Sequence, residues 1–274
     1  MGPEVIRAFT HALLAAGVAG AVPSAGRVTV STADGVNSTM YGYRLVEPRS
    51  AALQNGARVP LVVFLHGSGE RGSNNEAQLK HFVSDAATDG FQEKNPCFVL
   101  AVQCPADERW IDIPLDDQGK AKWSDGLKTT PAPTRALSAV QLAIDEVMRT
   151  KQVDPARVYL TGISMGGFGA FDLAVRTPEK FAAMASICGG GDPARAGSLR
   201  ELPVLVAHGI DDPVVPIACS RAMADAVRTA GGSVTVREYQ GVGHEAWTKA
   251  YTTDADGVLT WMFAQKSTKA AAPK

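Results

Sequence analysis

Serine, aspartate and histidine occur in this chain in settings suited to nucleophilic catalysis. Ser164 stands in Gly162-Ile163-Ser164-Met165-Gly166, a Gly-x-Ser-x-Gly pattern. Residues 157–163 before it read as a short apolar strand, and residues 168–176 after it as an apolar helix. A serine on such a strand-to-helix turn is held in a strained backbone conformation that lifts its hydroxyl clear of the sheet. Side chains at positions 162 and 166 would collide as strand and helix close together, hence the flanking glycines. The first N–H groups of the helix point at the same spot, so the Met165 amide is a candidate to stabilise an oxyanion.

A serine hydroxyl needs a base, and the base needs a carboxylate to hold its tautomer. Five histidines are available. His11 lies in an N-terminal leader and His81 on a helix flank. His66 and His208 each close a buried strand in a His-Gly pair, where bonds to backbone would shape the turn. His244 sits in a glycine-flanked loop after the last strand, free to reach across the sheet. The loop after the preceding strand offers Asp211 and Asp212. Asp212 precedes Pro213, which biases it to an extended backbone and leaves Asp211 to satisfy turn amides. The second oxyanion donor is expected in the glycine-rich loop 66–72, at the amide of Ser68. A phosphate-cradling role for that loop fails for want of a Gly-Lys-Ser/Thr ending and a directly following helix.

No metal or organic cofactor is implied. Cys97, Cys104, Cys188 and Cys219 form no CxxC pair and have no metal-like spacing with histidine. Cys97 and Cys104 fall at opposite ends of one strand, too far apart to bridge, and all four read as small buried residues.

The scaffold that must position these groups alternates strands with helices. Residues 27–32 and 39–46 alternate in polarity around Asp34-Gly35-Val36-Asn37, as an antiparallel hairpin does. Residues 59–65 (VPLVVFL) and 98–102 are continuous apolar runs, typical of strands buried on both faces. Further strands are expected at 181–188, 203–207 and, at the sheet edge, 233–239. Helical spacing marks 75–87, 134–150, 217–230 and 256–265. This order calls for a mostly parallel sheet covered on both faces, with reactive loops at the carboxyl ends of its strands. Residues 191–202 hold too little material for a large lid. The irregular stretch 105–133 should border the nucleophile. Trp110 follows its strand closely enough to face the cleft, and Trp247 lies just beyond His244, so both are candidates to bind a substrate ring.

With 274 residues and 45% hydrophobic content, the chain suits one large domain, residues 27–265. Residues 266–274 are expected to be a disordered tail. A net charge of −1 with no basic run gives a nucleic-acid or anionic-surface partner no electrostatic footprint. Within the leader, 1–26, the apolar run 12–22 is too short to span a membrane. It is similar to the core of an export signal, with Ala19-Gly20-Ala21 as a small-residue cleavage site, although Glu4 weakens the basic start. A secreted or periplasmic location is expected on that ground, with a cytoplasmic one as the alternative.

The loop LHGSGERG, the elbow TGISMGGFGA, the segment HGIDDPVVP and the ending GVGHEAW resemble those of α/β-hydrolase-fold serine carboxylesterases. More narrowly, they are similar to the lidless branch holding feruloyl and acetyl-xylan esterases, polyhydroxyalkanoate-depolymerase-like enzymes and prolyl-oligopeptidase-like peptidases. The resemblance covers residues 27–263. It implies the α/β-hydrolase fold, ester hydrolysis through an acyl-enzyme, Ser164, Asp212 and His244 as the triad, and Ser68 and Met165 as oxyanion amides. In that branch the acid directly precedes a Pro-Val-Val-Pro segment, which also favours Asp212. The implied substrates are short acyl or aryl esters, free or linked to polysaccharide. Alternatives are a serine peptidase or amidase, whose prolyl-oligopeptidase-type forms carry a gating domain that 274 residues leave no room for, and a polyester depolymerase. A non-catalytic binding protein on this scaffold would be expected to lack a triad member.

Overall fold

The computed structural model describes residues 22–31, 38–114, 117, 127 and 130–268. Among them, eight strands form one sheet: β1 (Ser24–Ser31), β2 (Ser38–Val46), β3 (Val59–Leu65), β4 (Phe98–Val102), β5 (Val153–Ile163), β6 (Ala183–Ile187), β7 (Val204–Gly209) and β8 (Val234–Tyr239). Their order is β1-β2-β4-β3-β5-β6-β7-β8. β1 and β2 are antiparallel at one edge, and β4 through β8 run parallel. The helices are α1 (Phe82–Ala86), α2 (Asp89–Lys94), α3 (Arg135–Thr150), α4 (Met165–Arg176), α5 (Ile217–Thr229), α6 (Trp247–Ala250) and α7 (Val258–Phe263). This is the α/β-hydrolase architecture.

The apolar pattern of β3 shows why the sheet lies between two layers. Successive side chains of a strand alternate faces. Leu61, Val63 and Leu65 enter the core beneath α3, α4 and α5, while Val62 and Phe64 enter the core beneath α1, α6 and α7. Each such burial stabilises the fold by about 1.5–3 kcal/mol. Between β6 and β7 the chain makes only a short 3₁₀ segment, Pro193–Leu199, so no helical lid covers the carboxyl edge there. No helix among the described residues is long and apolar enough to cross a membrane.

Several boundaries differ from the sequence expectation for identifiable reasons. β1 begins at Ser24, inside the expected leader, because residues 24–26 pair with Leu45, Arg44 and Tyr43. Gly26 hides the alternation there: its missing side chain makes room for the Tyr43 ring. The hairpin turn at 34–37 and residues 12–21 of the apolar leader run lie outside the described residues. At the other end, the Ser267 amide donates to Ala156 O at 2.9 Å, so the ordered chain extends beyond residue 265; residues 269–274 lie outside the described part. The helical spacing of 75–87 does not give one helix. Asn75 is tied to the sheet edge by Arg44, Tyr43 and Gln103. A 3₁₀ turn, Ala77–Leu79, follows, and His81 at φ 59°, ψ −129° breaks the run before α1. A right-handed helix cannot pass through a residue of positive φ. Cys97, Cys104 and Cys188 are buried thiols and Cys219 a half-buried one, all unpaired.

Candidate active site

The turn at Ser164 is built as the flanking glycines require. Ser164 follows β5 directly and has φ 50°, ψ −120°, a region that costs a non-glycine residue about 1–3 kcal/mol. The strain is held by backbone bonds. Ser164 N donates to Ile187 O at 2.9 Å, and Ser164 O accepts from Gly167 N at 2.8 Å and Phe168 N at 3.2 Å. A Cβ on Gly162 would stand 2.2 Å from Gly166 O, and one on Gly166 would stand 1.9 Å from Leu65 O. No side chain fits at either position. α4 starts at Met165, three residues earlier than its apolar pattern, because glycines at 166 and 167 carry no side chain to show the period.

Three strand ends bring the polar groups together. Ser164 follows β5, Asp212 follows β7 and His244 follows β8. His244 Nδ1 donates to Asp212 Oδ2 at 2.8 Å, which leaves Nε2 to accept the Ser164 hydroxyl at 2.9 Å. The tautomer is thereby the one a general base needs. Asp212 also takes the turn-satisfying part expected of Asp211: its Oδ1 accepts Val214 N at 2.8 Å and Val215 N at 3.0 Å. Burial pushes the Asp212 carboxyl up, but the His244 bond and these two amides outweigh burial and hold it below the usual carboxylate range. Asp211 is exposed.

The loop after β3 closes the other side. Ser68 opens a 3₁₀ turn, Ser68–Glu70, and Met165 opens α4, so neither amide has an acceptor in a preceding turn. The point where a Gly67 Cβ would stand is 3.7 Å from Ser164 Cβ, so the loop rests against the nucleophile. His66 fixes its root. Nδ1 donates to Gly67 O at 2.6 Å while Nε2 accepts Cys104 N at 3.0 Å. Burial pushes the His66 imidazole down to about 4, in keeping with this neutral tautomer. The Arg71 guanidinium then ties Ser68 O to Ala106 O and Glu108 O.

Residues 51–253 match the phospholipase/carboxylesterase family. The chain belongs to that family. NocK of Nocardia uniformis subsp. tsuyamanensis, an esterase by name, is 32% identical over 187 residues, which make up 67% of this chain and 48% of NocK. Poly(3-hydroxyalkanoate) depolymerase C of Paucimonas lemoignei is 28% identical over 142 residues, 49% of this chain and 28% of that one. The chain thus spans less than half the length of either relative. A thermostable esterase of known structure superposes with a TM-score of 0.73 at 32% identity, over 89% of this chain and 63% of that chain. A ferulic acid esterase gives a TM-score of 0.60 at 17% identity, which speaks to the fold alone.

Within this carboxylesterase-family site, the expectation for Trp110 is overturned. Trp110 has no exposed surface. Its Nε1 donates to His66 O at 3.0 Å, its ring meets the His66 ring edge-on at 5.0 Å, and Gly169 of α4 makes room for its Cβ. A buried indole must satisfy its N–H, and the carbonyl at the root of the loop is the partner that draws it inward. Trp247 is also largely buried, 9% exposed, and lies edge-on to the rings of both His244 and His81.

Three further residues join the site that the sequence reading passed over or placed elsewhere. His208 Nε2 lies 3.1 Å from Asp212 Oδ2 and 3.0 Å from Val215 O; since a carbonyl only accepts, this nitrogen carries a proton directed at the acid. Its position four residues before Asp212 was the available signal. Glu70 and His81 line the wall between the β3 loop and Trp247, and Glu70 stood in the LHGSGERG motif without a role. Cys188 Sγ, the Asp212 carboxylate and the His244 imidazole are also close enough to hold an ion. His244 Nδ1 already serves Asp212, and the thiol donates to His244 O at 3.2 Å.

Proposed function

We propose that the chain hydrolyses carboxylic esters through an acyl-enzyme on Ser164. The observation that carries this reading is the unbroken hydrogen-bonded line Ser164 Oγ–His244 Nε2–His244 Nδ1–Asp212 Oδ2, set on a strained strand-to-helix turn. His244 Nε2 takes the hydroxyl proton as Ser164 Oγ attacks the ester carbonyl. The Ser68 and Met165 amides receive the developing oxyanion. The C–O bond to the alcohol breaks, and His244 returns the proton to the leaving oxygen. Water then repeats the cycle on the acyl-enzyme and restores the serine. Asp212 stabilises the imidazolium formed in each half-reaction, and His208 holds the acid's second flank.

Short acyl or aryl esters are the favoured substrates. The lack of a helical cover between β6 and β7 supports this, as do relatives named as esterases, including an acetylxylan esterase/xylanase of Neocallimastix patriciarum that is 26% identical over 157 residues. Ester groups on polysaccharide, met outside the cytoplasm, would also suit the apolar leader. The test is to assay the purified protein on p-nitrophenyl esters of graded chain length, methyl ferulate and acetylated xylan, with Ser164→Ala as the blank. Turnover that peaks on short or aryl esters and vanishes in the variant is expected. A peak on palmitate esters overturns the substrate class, and turnover persisting in Ser164→Ala overturns the mechanism.

A further inference from the structure

Glu70 sits on the same loop as Ser68, with its side chain only 10% exposed. Its backbone is anchored, because Gln103 Nε2 donates to Glu70 O at 3.1 Å. Oε1 faces His81 Nε2 at 3.4 Å, while Oε2 has no hydrogen-bond partner among the described residues. Oε2 lies 3.1 Å from the point where a Gly67 Cβ would stand, and Ser164 Cβ is 3.7 Å from that same point. With no side chain at Gly67 between them, this carboxylate and the nucleophile stand on the same side of the loop backbone. The bond to His81 comes first in holding the Glu70 carboxyl below the usual carboxylate range, against burial, so the group meets the cleft as an anion. Oε2 thus keeps a lone pair for a donor that enters the cleft.

The wall that carries Glu70 continues toward His244. The His81 ring lies edge-on to Trp247 at 5.4 Å, and Trp247 lies edge-on to His244 at 5.2 Å. His81 is held at φ 59°, ψ −129°, close to the conformation of Ser164 itself. Because His244 returns its proton to the leaving oxygen, this wall borders the alcohol half of the ester.

We propose that Glu70 and His81 form an alcohol subsite that selects esters whose alcohol bears a second hydroxyl beside the ester oxygen, that hydroxyl donating to Glu70 Oε2. The inference rests on the esterase reading above and concerns only which alcohol leaves. A hydroxyl suits the subsite better than a cation, because Lys80 already places positive charge near the carboxylate.

The test compares two butyrates that share an acyl group, glyceryl 1-butyrate and propyl butyrate, in the wild type, Glu70→Gln and Glu70→Ala. The wild type is expected to favour the glyceryl ester about tenfold in kcat/KM, the scale of one hydrogen bond to a charged acceptor. That ratio should fall several-fold in Glu70→Gln and vanish in Glu70→Ala, whatever happens to the rate common to both esters. Equal kcat/KM on the two esters in the wild type overturns the proposal, and this arm needs no variant to fold. An equal loss on both esters in the variants overturns it too. So does butyrylcholine outpacing both with the same dependence on Glu70, which would make the carboxylate a cation site. Failure of both esters together with no fluorophosphonate labelling of Ser164 overturns the esterase reading itself.

Discussion

Trp110→Ala tests whether the loop after β4 supports the site from within or lines it. The wild-type indole has no exposed surface, so its removal leaves a cavity rather than a solvated notch. Large-to-small changes at such aromatic positions cost about 3–5 kcal/mol. The lost hydrogen bond leaves His66 O, at the root of the loop bearing Ser68, without its donor at 3.0 Å. An unsatisfied buried acceptor costs about 1–3 kcal/mol. Trp110→Phe separates the two effects, since it keeps most of the apolar volume and removes only the donor. For a domain of this size 1 kcal/mol moves Tm by about 2–4 °C. Trp110→Ala should therefore lower Tm by about 15–20 °C, and Trp110→Phe by about 5 °C. Because His66 also meets Gly67 O and Cys104 N, a loosened loop root should lower kcat in both variants by similar factors on methyl ferulate and p-nitrophenyl acetate. Scanning calorimetry and steady-state kinetics on the two esters measure both effects. A Tm change below about 2 °C with KM raised on methyl ferulate alone would place the indole in the cleft and refute the reasoning.

Three other outcomes are expected. Ser164→Ala and Ser164→Gly should each lose on the order of a million-fold in turnover, together with fluorophosphonate labelling, and the glycine variant should melt above the alanine variant because only glycine relieves φ 50°; the reverse order of melting would remove the strain from the account. Asp212→Asn should cost on the order of ten-thousand-fold in kcat through a wrong histidine tautomer, while exposed Asp211→Asn should change kcat little; reversed effects would move the acid by one residue. His66, pushed down to about 4 by burial, should stay neutral at pH 5 by NMR; an unfolded histidine takes its proton near pH 6.5, so stability should decline as pH falls from about 6.5 to about 4, by about 3 kcal/mol in all, and titration of His66 near 6.5 would show that the buried neutral form is wrong.

The chemistry was legible in the sequence where it depends on short-range geometry. Gly162 and Gly166 mark the elbow because a Cβ at either position would strike backbone. β3 and β4 were readable to the residue, since a strand buried on both faces must be apolar throughout. The order of Ser164, Asp212 and His244 followed from which strand end each one occupies. What the sequence could not disclose is where a side chain points once its loop is packed. Trp110 and Trp247 look alike as aromatic residues beside a reactive loop, yet a carbonyl acceptor at His66 draws the first fully inside while the second stays between two imidazoles. Asp212 and Asp211 divide their work differently from expectation because two loop amides happen to converge on Asp212. Glu70 and His81 carry no local pattern that distinguishes them, and for His208 the four-residue spacing to Asp212 is the one signal. The apolar spacing around His81 even reads as continuous helix, and the tethers from Arg44, Tyr43 and Gln103 to Asn75, together with the positive φ of His81, break it. Local sterics and periodicity are written in neighbouring residues. The partners of a buried polar group come from segments tens of residues away, and only the closed fold brings them within reach.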